Sequence, residues 1–288
     1  MNSQPLVSII VPTYNGAKYI KRAVESVRNQ TYKNIEIIIT DDASTDETFN
    51  IISELGKKDS RIIILTNEAN LGFVKSLNKA AGKAQGKYIT RIDDDDFWCD
   101  SRKLEKQVGF LETHPDYVLV GGGMIKIDEN NREIARYLFP EKDKDIRKLI
   151  LVSGSIAHGT VFFRKEAFEK VKAYDEQFGF FADIALTLKL GKIGKFYNFQ
   201  EYFSCYLDKE ENSNYKMRNY DIRRKVWVRI KLRKRHKNDY PGYNKAYLFC
   251  WLSYFYSFLP LRRRFRPFCL KLRKIIFSSS GLKENEKF

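Results

Sequence analysis

Tyr88-Ile-Thr-Arg-Ile-Asp-Asp-Asp-Asp-Phe-Trp98 is the stretch on which the reading of this chain turns. Its first five residues suit a short buried strand, and that strand delivers four carboxylates, Asp93 to Asp96, at its C-terminal end. Ligands of open α/β sheets bind in the crevice beyond the carboxyl ends of the strands. Adjacent acids repel one another, so a fold tolerates them mainly where a cation or solvent screens them. Hard divalent cations such as Mg2+ or Mn2+ take carboxylate oxygens and share them with substrate phosphates. The competing reading is a solvated acidic turn. Two other readings fail on spacing. An EF-hand loop counted from Asp94 puts Trp98 and Cys99 where an oxygen ligand and a glycine are required. A P-loop partner is missing, because Gly82-Lys83-Ala84-Gln85-Gly86-Lys87 has the wrong spacing and Tyr88 follows it.

Outward from this stretch, residues 6–11 (LVSIIV) form an apolar run closed by Pro12, which predicts a fully buried strand. Thr13-Tyr14-Asn15-Gly16 is turn chemistry, and Ile20, Ala23, Val24 and Val27 then recur at helical spacing. Residues 35–39 predict a second strand ending in Thr40-Asp41-Asp42. Ser44 with Glu47 reads as a capping box, with Phe49, Ile52 and Leu55 as the apolar face of a helix that Gly56 ends. Residues 61–65 predict a third strand, and Asn70-Leu71-Gly72 opens a helix with Val74, Leu77, Ala80, Ala81 and Ala84 inward. Strand and helix alternate with short connections, the pattern of a doubly wound, mostly parallel, Rossmann-like α/β sheet. Thr13, Asp41, Asp42, Asn70 and the acid run all fall where strands end. No GxGxxG follows the first strand, which disfavours an ordinary dinucleotide fold.

The 288 residues are 43% apolar and 14% aromatic, the composition of a folded protein with room for one large core. No stretch reaches the ~20 apolar residues of a membrane span, and no signal peptide opens the chain, so a cytoplasmic protein is expected. Four scattered cysteines without a CxxC pair point to reduced thiols rather than disulfides or zinc. Charge is uneven: residues 1–215 hold 31 Lys+Arg against 32 Asp+Glu, whereas residues 216–288 hold 21 against 4. The basicity belongs to the tail and concerns a partner of that tail.

Together these motifs carry a resemblance. VSIIVPTYNG at 7–16, EIIITDDASTDET at 36–48, NLG at 70–72 and the DxD within 93–96 resemble family 2 glycosyltransferases of the GT-A fold. Further on, HGTVFFR at 158–164 is similar to the family's strand beneath the acceptor site. Ala173-Tyr174-Asp175-Glu176 and Phe181-Ala182-Asp183 resemble the segment that supplies its base. Three positions depart from the family pattern: Ala182 stands where a glutamate is usual, Thr187 where a tryptophan is, and Tyr206-Leu207 replaces Tyr-Arg.

The resemblance implies an inverting, metal-dependent transfer from a nucleotide sugar, with UDP the expected carrier. Asp41 would accept a hydrogen bond from the uracil N–H, helped by the loop Pro12, Thr13, Tyr14 and Asn15. Asp42 belongs to the same donor set, although both aspartates also suit capping of a helix N-terminus. Asn70 and Gly72 would line the nucleotide, and Arg91, Asp93 and Asp94 the ribose and diphosphate. Asp95 would ligate Mn2+ or Mg2+, and Asp96 would be structural. Asp183 would be the general base, the alternative being a plain N-cap of the helix at 184–190. His158 reads as a packing residue.

The implied organisation is a GT-A domain over 1–215, with a nucleotide-sugar half at 1–105 and an acceptor half at 106–215. A basic, aromatic, helical C-terminal extension follows at 216–288. Within it, Val226, Trp227 and Ile230 read as an apolar stripe between cations, residues 247–260 (YLFCWLSYFYSFLP) are aromatic, and Arg262 to Arg266, then Leu270, Leu272, Ile275 and Ile276, follow. Such segments suit helices lying in the interface of an anionic membrane. A nucleic-acid patch and a packing helix with a solvated basic face are the competing readings. The expectation is thus a peripheral enzyme on the inner face of the cell membrane. It would glycosylate a saccharide or lipid-linked saccharide in bacterial surface polysaccharide or oligosaccharide synthesis. The alternative is a catalytically idle GT-A-like module tethered by its tail.

Overall fold

A computed structural model of the chain describes residues 4–152, 154–209, 222–256 and 283–285. Its first half alternates β1 (Val7–Thr13), α1 (Ile20–Arg28), β2 (Ile35–Asp41), α2 (Thr48–Lys58), β3 (Ile62–Thr66), α3 (Phe73–Lys83) and β4 (Tyr88–Arg91). These four strands are parallel, in the order β3-β2-β1-β4. Every residue of β1, β2 and β4 is buried, as expected of strands covered by helices on both faces. The chain winds from β1 outward to β3 and then crosses back to place β4 on the other side of β1. The crevice between the ends of β1 and β4 is therefore the switch point of the sheet, where ligands of such folds bind.

The second half adds β5 (Phe97–Trp98), α4 (Lys103–Thr113), β6 (Tyr117–Ile127), β7 (Glu133–Leu138), α5 (Asp143–Leu149), β8 (Phe162–Arg164), α6 (Lys165–Lys170), α7 (Ala182–Leu190) and β9 (Lys195–Leu207). β8 pairs antiparallel with β4 and carries the sheet on to β6 and β7. β9 runs parallel to β6 and antiparallel to β5, closing over the end of the acid run. Helices α8 (Ile222–Arg235) and α9 (Tyr243–Tyr256) follow, and β10 (Lys283–Asn285) pairs with β7.

Local details depart from the sequence reading for identifiable reasons. The Ser44–Glu47 capping box does not form: Ser44 turns back to Asp41, and Asp46 accepts the Thr48 amide at 3.0 Å instead. The buried face of α2 is Thr48, Ile52 and Leu55, one position away from Phe49, which is exposed. The helix also runs through Gly56 to Lys58. In the segment 158–164 only Phe162–Arg164 is strand; His158–Thr160 is a 3-10 turn. Asp183 lies inside the first turn of α7 rather than at its N-cap, which is Phe181.

Packing runs across the change of composition at 215. Leu232, Tyr240 and Ala246 join the core that includes Ile150, Leu188 and Phe196, and the Tyr240 hydroxyl donates to the Leu188 carbonyl at 2.6 Å. Arg233 is buried; its Nε donates to the Leu151 carbonyl at 2.7 Å and its guanidinium contacts the Cys250 thiol. Val226, Ile230 and Cys250 seal α8 to α9, whereas Trp227 faces outward. Phe258, the cations at 262–266 and the apolar positions from Leu270 to Ile276 lie outside the described residues. Arg233→Met removes a buried donor and strands the carbonyls of α5's trailing turn. It is expected to destabilise the whole chain by about 2–4 kcal/mol. Urea unfolding followed by tryptophan fluorescence measures this; an unchanged midpoint would show that the helical pair merely rests on the domain.

Candidate active site

The four acids at the end of β4 fan out to four different partners. Asp93 pairs with Arg91 of the same strand. Asp94 Oδ2 accepts the Thr13 hydroxyl of β1 at 2.6 Å. Asp95 Oδ2 lies 3.2 Å from Lys209 Nζ, just beyond β9. Asp96, fully enclosed, accepts the Leu207 amide at 3.0 Å. Burial and the charge of Asp95 push the Asp94 carboxyl up to about 6, against the pull of the Thr13 hydroxyl. The same two causes push Asp96 up further. Gly16 is obligatory beside this contact, because a Cβ there would collide with Asp94 Oδ2 and Thr13 Oγ1.

The two aspartates after β2 have different work. Asp42 Oδ1 accepts the Asn67 side-chain amide at 2.6 Å and the Leu71 amide at 2.8 Å, while Oδ2 accepts the Gly72 amide at 2.8 Å. It therefore holds the 67–72 loop at the start of α3, with Gly72 at φ 87°, a conformation suited to glycine. Asp41 spends only Oδ1, on the amide (3.1 Å) and hydroxyl of Ser44, and its Oδ2 takes no donor among the described residues. Asn15, at φ 52°, knits its own loop to that after β2: its amide donates to Ser44 Oγ at 2.9 Å, and its Oδ1 accepts the Thr45 amide at 2.8 Å. Tyr14 is exposed beside it, and Pro12 is buried in β1. Asn70 is exposed on the loop, with no bond among the described residues.

Arg91 occupies the middle of the site. Its guanidinium is buried, stands 5.1 Å from the centre of the Phe73 ring, and has no hydrogen-bond acceptor for Nε. Burial lowers its pKa, opposed by the charges of Tyr174, Asp96, Asp183 and Asp95. Asp183, in the first turn of α7, is among the acids whose charge acts on Arg91. Its Oδ1 accepts the Ile184 amide at 2.7 Å, burial raises its pKa, and the charge of Arg91 partly offsets this. The neighbouring Ala182 side chain is packed in the core with Phe181, Ala185 and Leu186, so an acid at 182 would face apolar groups. His158 Nε2 lies 3.1 Å from the Tyr174 hydroxyl, and burial beside Arg91 keeps the imidazole neutral.

Through the contacts just given, Thr13, Arg91, Asp93, Asp94 and Asp95 lie at the ends of β1 and β4, Asn15 and Asp41 join the loops after β1 and β2, Asp42 bonds Gly72 in the 67–72 loop, and Asn70 has no bond among the described residues. Sequence reasoning missed Asn67, Tyr174 and Lys209. Asn67 was within reach as a polar residue directly after β3, but Lys209 is 114 positions from its partner and no local pattern marks it.

Among the described residues no three His, Cys, Asp or Glu side chains form a complete metal cage. A Mg2+ or Mn2+ ion that shares substrate phosphates needs only one or two carboxylates and water. Asp95 meets that requirement, since its Oδ1 takes no protein partner among the described residues and every nearby acid supplies oxygen.

Residues 8–172 match the family described as glycosyl transferase family 2. The chain belongs to that family. It is 37% identical over 227 residues to EpsE of Bacillus subtilis (strain 168), provisionally named a glycosyltransferase; the match spans 76% of this chain and 78% of EpsE. It is 48% identical over 108 residues to the UDP-Glc:alpha-D-GlcNAc-diphosphoundecaprenol beta-1,3-glucosyltransferase WfaP of Escherichia coli, covering 38% of this chain and 42% of WfaP. The fold of this family 2 chain is that of S. aureus TarS 1–349, solved in complex with UDP-GlcNAc. The TM-score is 0.70 at 18% identity, over 96% of this chain and 81% of the other. No helix among the described residues is long and apolar enough to cross a membrane.

Because Asp42 carries three donors of one loop, Asp42→Ala is expected to cost about 2–3 kcal/mol. It should also open residues 67–72 to protease. Limited proteolysis beside urea unfolding tests both; a variant as resistant as the parent would show that the loop is held by other contacts.

Proposed function

We propose that this family 2 glycosyltransferase moves a sugar from a UDP-linked donor to a hydroxyl of a saccharide or lipid-linked saccharide, with inversion, in assembly of a bacterial surface polysaccharide or oligosaccharide. The observation that supports the reading is the acid run at the switch point of the sheet, with each carboxylate held by its own partner and with Asp95 and Asp183 both acting by charge on the buried Arg91. A UDP carrier is supported by the free Oδ2 of Asp41, which suits a uracil N–H, and by the UDP-sugar named for WfaP and bound to TarS. The lipid-linked acceptor named for WfaP supports the acceptor class.

In the proposed reaction the acceptor O–H bond breaks as its proton passes to the Asp183 carboxylate. The acceptor oxygen attacks the anomeric carbon, and the bond to the diphosphate breaks with its electrons on the leaving oxygen. Asp93 and Asp94 orient ribose and diphosphate, Thr13, Tyr14 and Asn15 frame the base, and Arg91 holds Asp93 while balancing the site's negative charge. Asp95 would hold a divalent cation, which when bound would supply Lewis-acid stabilisation of the leaving diphosphate.

Asp183→Asn is expected to keep UDP binding and lose about 10²–10⁴-fold in turnover. In the parent, the base works only when ionised. Its pKa is raised, so activity should climb with pH through an acid limb lying above the ordinary aspartate value of about 3.9. Near-normal transfer by Asp183→Asn would place the base elsewhere, with Asp175 and Glu176 next.

Residues 216–288 are proposed as the part that holds the enzyme on the inner membrane face. On α8 and α9 an aromatic and aliphatic patch stands open: Trp227 is 50% exposed, Leu248 60%, Leu252 46% and Phe255 63%. Trp227 lies 5.8 Å from Trp251 and 6.0 Å from Tyr254, so the patch is continuous across both helices. Lys234 and Lys237 are exposed on the same element and its trailing turn. Each cation near an anionic leaflet contributes about 1 kcal/mol, and salt screens that part alone. Co-sedimentation with phosphatidylglycerol vesicles should therefore weaken in salt without vanishing. Trp227→Ser with Phe255→Ser should remove the salt-resistant fraction. Indifference to vesicles together with salt-steep binding of duplex nucleic acid would overturn the membrane assignment.

A further inference from the structure

Among the described residues, Asp95 is the one carboxylate of the acid run that faces an ammonium. Lys209 Nζ stands 3.2 Å from its Oδ2 and 4.3 Å from the centre of the Tyr19 ring. The lysine and aspartate side chains are 18% and 19% exposed, so the pair is sheltered rather than solvated. Both partners are fixed through their backbones. The Asp208 amide donates to the Ile127 carbonyl at 2.9 Å, and the Asp208 carboxylate pairs with Lys126 at 2.7 Å, which sets where Lys209 leaves the sheet. On the other side, Arg22 Nη2 donates to the Asp95 carbonyl at 3.1 Å, and its Nη1 donates to Asn131 Oδ1 at 2.6 Å.

A lysine head group on a four-carbon stem is a point charge that can turn between nearby anions without any change of backbone. Here the two anions would be the Asp95 carboxylate and the diphosphate of the donor. While Lys209 holds Asp95 Oδ2, a divalent cation at Oδ1 meets its repulsion, because two cations on one carboxylate repel. Once a diphosphate is seated it offers more negative charge than the carboxylate alone, and the ammonium gains by moving to it.

We propose that Lys209 is an exchangeable counter-cation of the donor site. In the nucleotide-free protein it neutralises Asp95 and competes there with the divalent metal. When a nucleoside diphosphate binds it passes to the phosphate oxygens and leaves Asp95 to the metal. The inference rests on Asp95 being the metal-binding carboxylate.

The test is binding rather than turnover, on the full chain and its Lys209→Met, Lys209→Arg and Asp95→Ala variants. Free Mn2+ is titrated by electron paramagnetic resonance without nucleotide, and UDP by calorimetry in EDTA. Lys209→Met should bind Mn2+ about tenfold more tightly, ~1.4 kcal/mol, and UDP in EDTA about tenfold more weakly. Lys209→Arg, which keeps the charge, should stay near the parent in both titrations. Should the Met variant fail to fold, Lys209→Gln gives the neutral head group. Unchanged Mn2+ affinity in the neutral variant, or an arginine variant that behaves like it, overturns the counter-cation role. Mn2+ binding that survives intact in Asp95→Ala instead overturns the assignment of the metal to Asp95, a failure separate from that of the lysine.

Discussion

Like charges at the end of β4 constrain the architecture more than any other feature. Four carboxylates on consecutive residues repel, and burial makes each charge harder to keep, as the raised pKa of Asp94 and Asp96 shows. The fold answers by drawing a separate partner to each: Arg91 from β4, Thr13 from β1, Lys209 from beyond β9, and the Leu207 amide from β9 itself. These contacts join the first parallel strand, the fourth, and the last strand of the second half. The acid run is thus the seam along which the two halves of the domain meet.

Around that seam the polar side chains divide into those that build the crevice and those left open to it. Asp42 is consumed by the 67–72 loop, whereas Asp41 retains an oxygen. At the start of α7 the Ala182 side chain is packed in the core, while the Asp183 carboxylate accepts the Ile184 amide and acts by charge on Arg91. Position 182 is set by packing, since its side chain lies among Phe181, Ala185 and Leu186. The departure from the usual glutamate therefore falls on a side chain buried in the core.

The basic extension divides in the same way. Leu232, Arg233, Tyr240 and Ala246 are core and anchor residues of the main domain, while Trp227, Leu248, Leu252 and Phe255 remain outside. Composition made the two groups look alike, because a buried packing helix and an interfacial helix both mix aromatics with cations. Burial separates them only once α8 has a surface to lie on. Arg233 illustrates the point: in the sequence it is one cation among many, and in the structure it pins α8 to two carbonyls after α5.

Periodicity and turn chemistry in the sequence were enough to establish the parallel half of the sheet and the strand-end position of Asp41 and Asp93–Asp96. Those features depend on local backbone preference and on which faces are apolar, and both are written in neighbouring residues. Tertiary structure alone decided that Asp41 and Asp42 would part company, that Phe49 would face solvent, and that Asp95 would meet Lys209. Each of these depends on contacts between residues far apart in the chain, where a sequence carries no distance. Lys209 is the clearest instance: its meeting with Asp95 follows from the pairing of β9 with β5 and β6, and from the Asp208 backbone and side chain that fix its exit from the sheet.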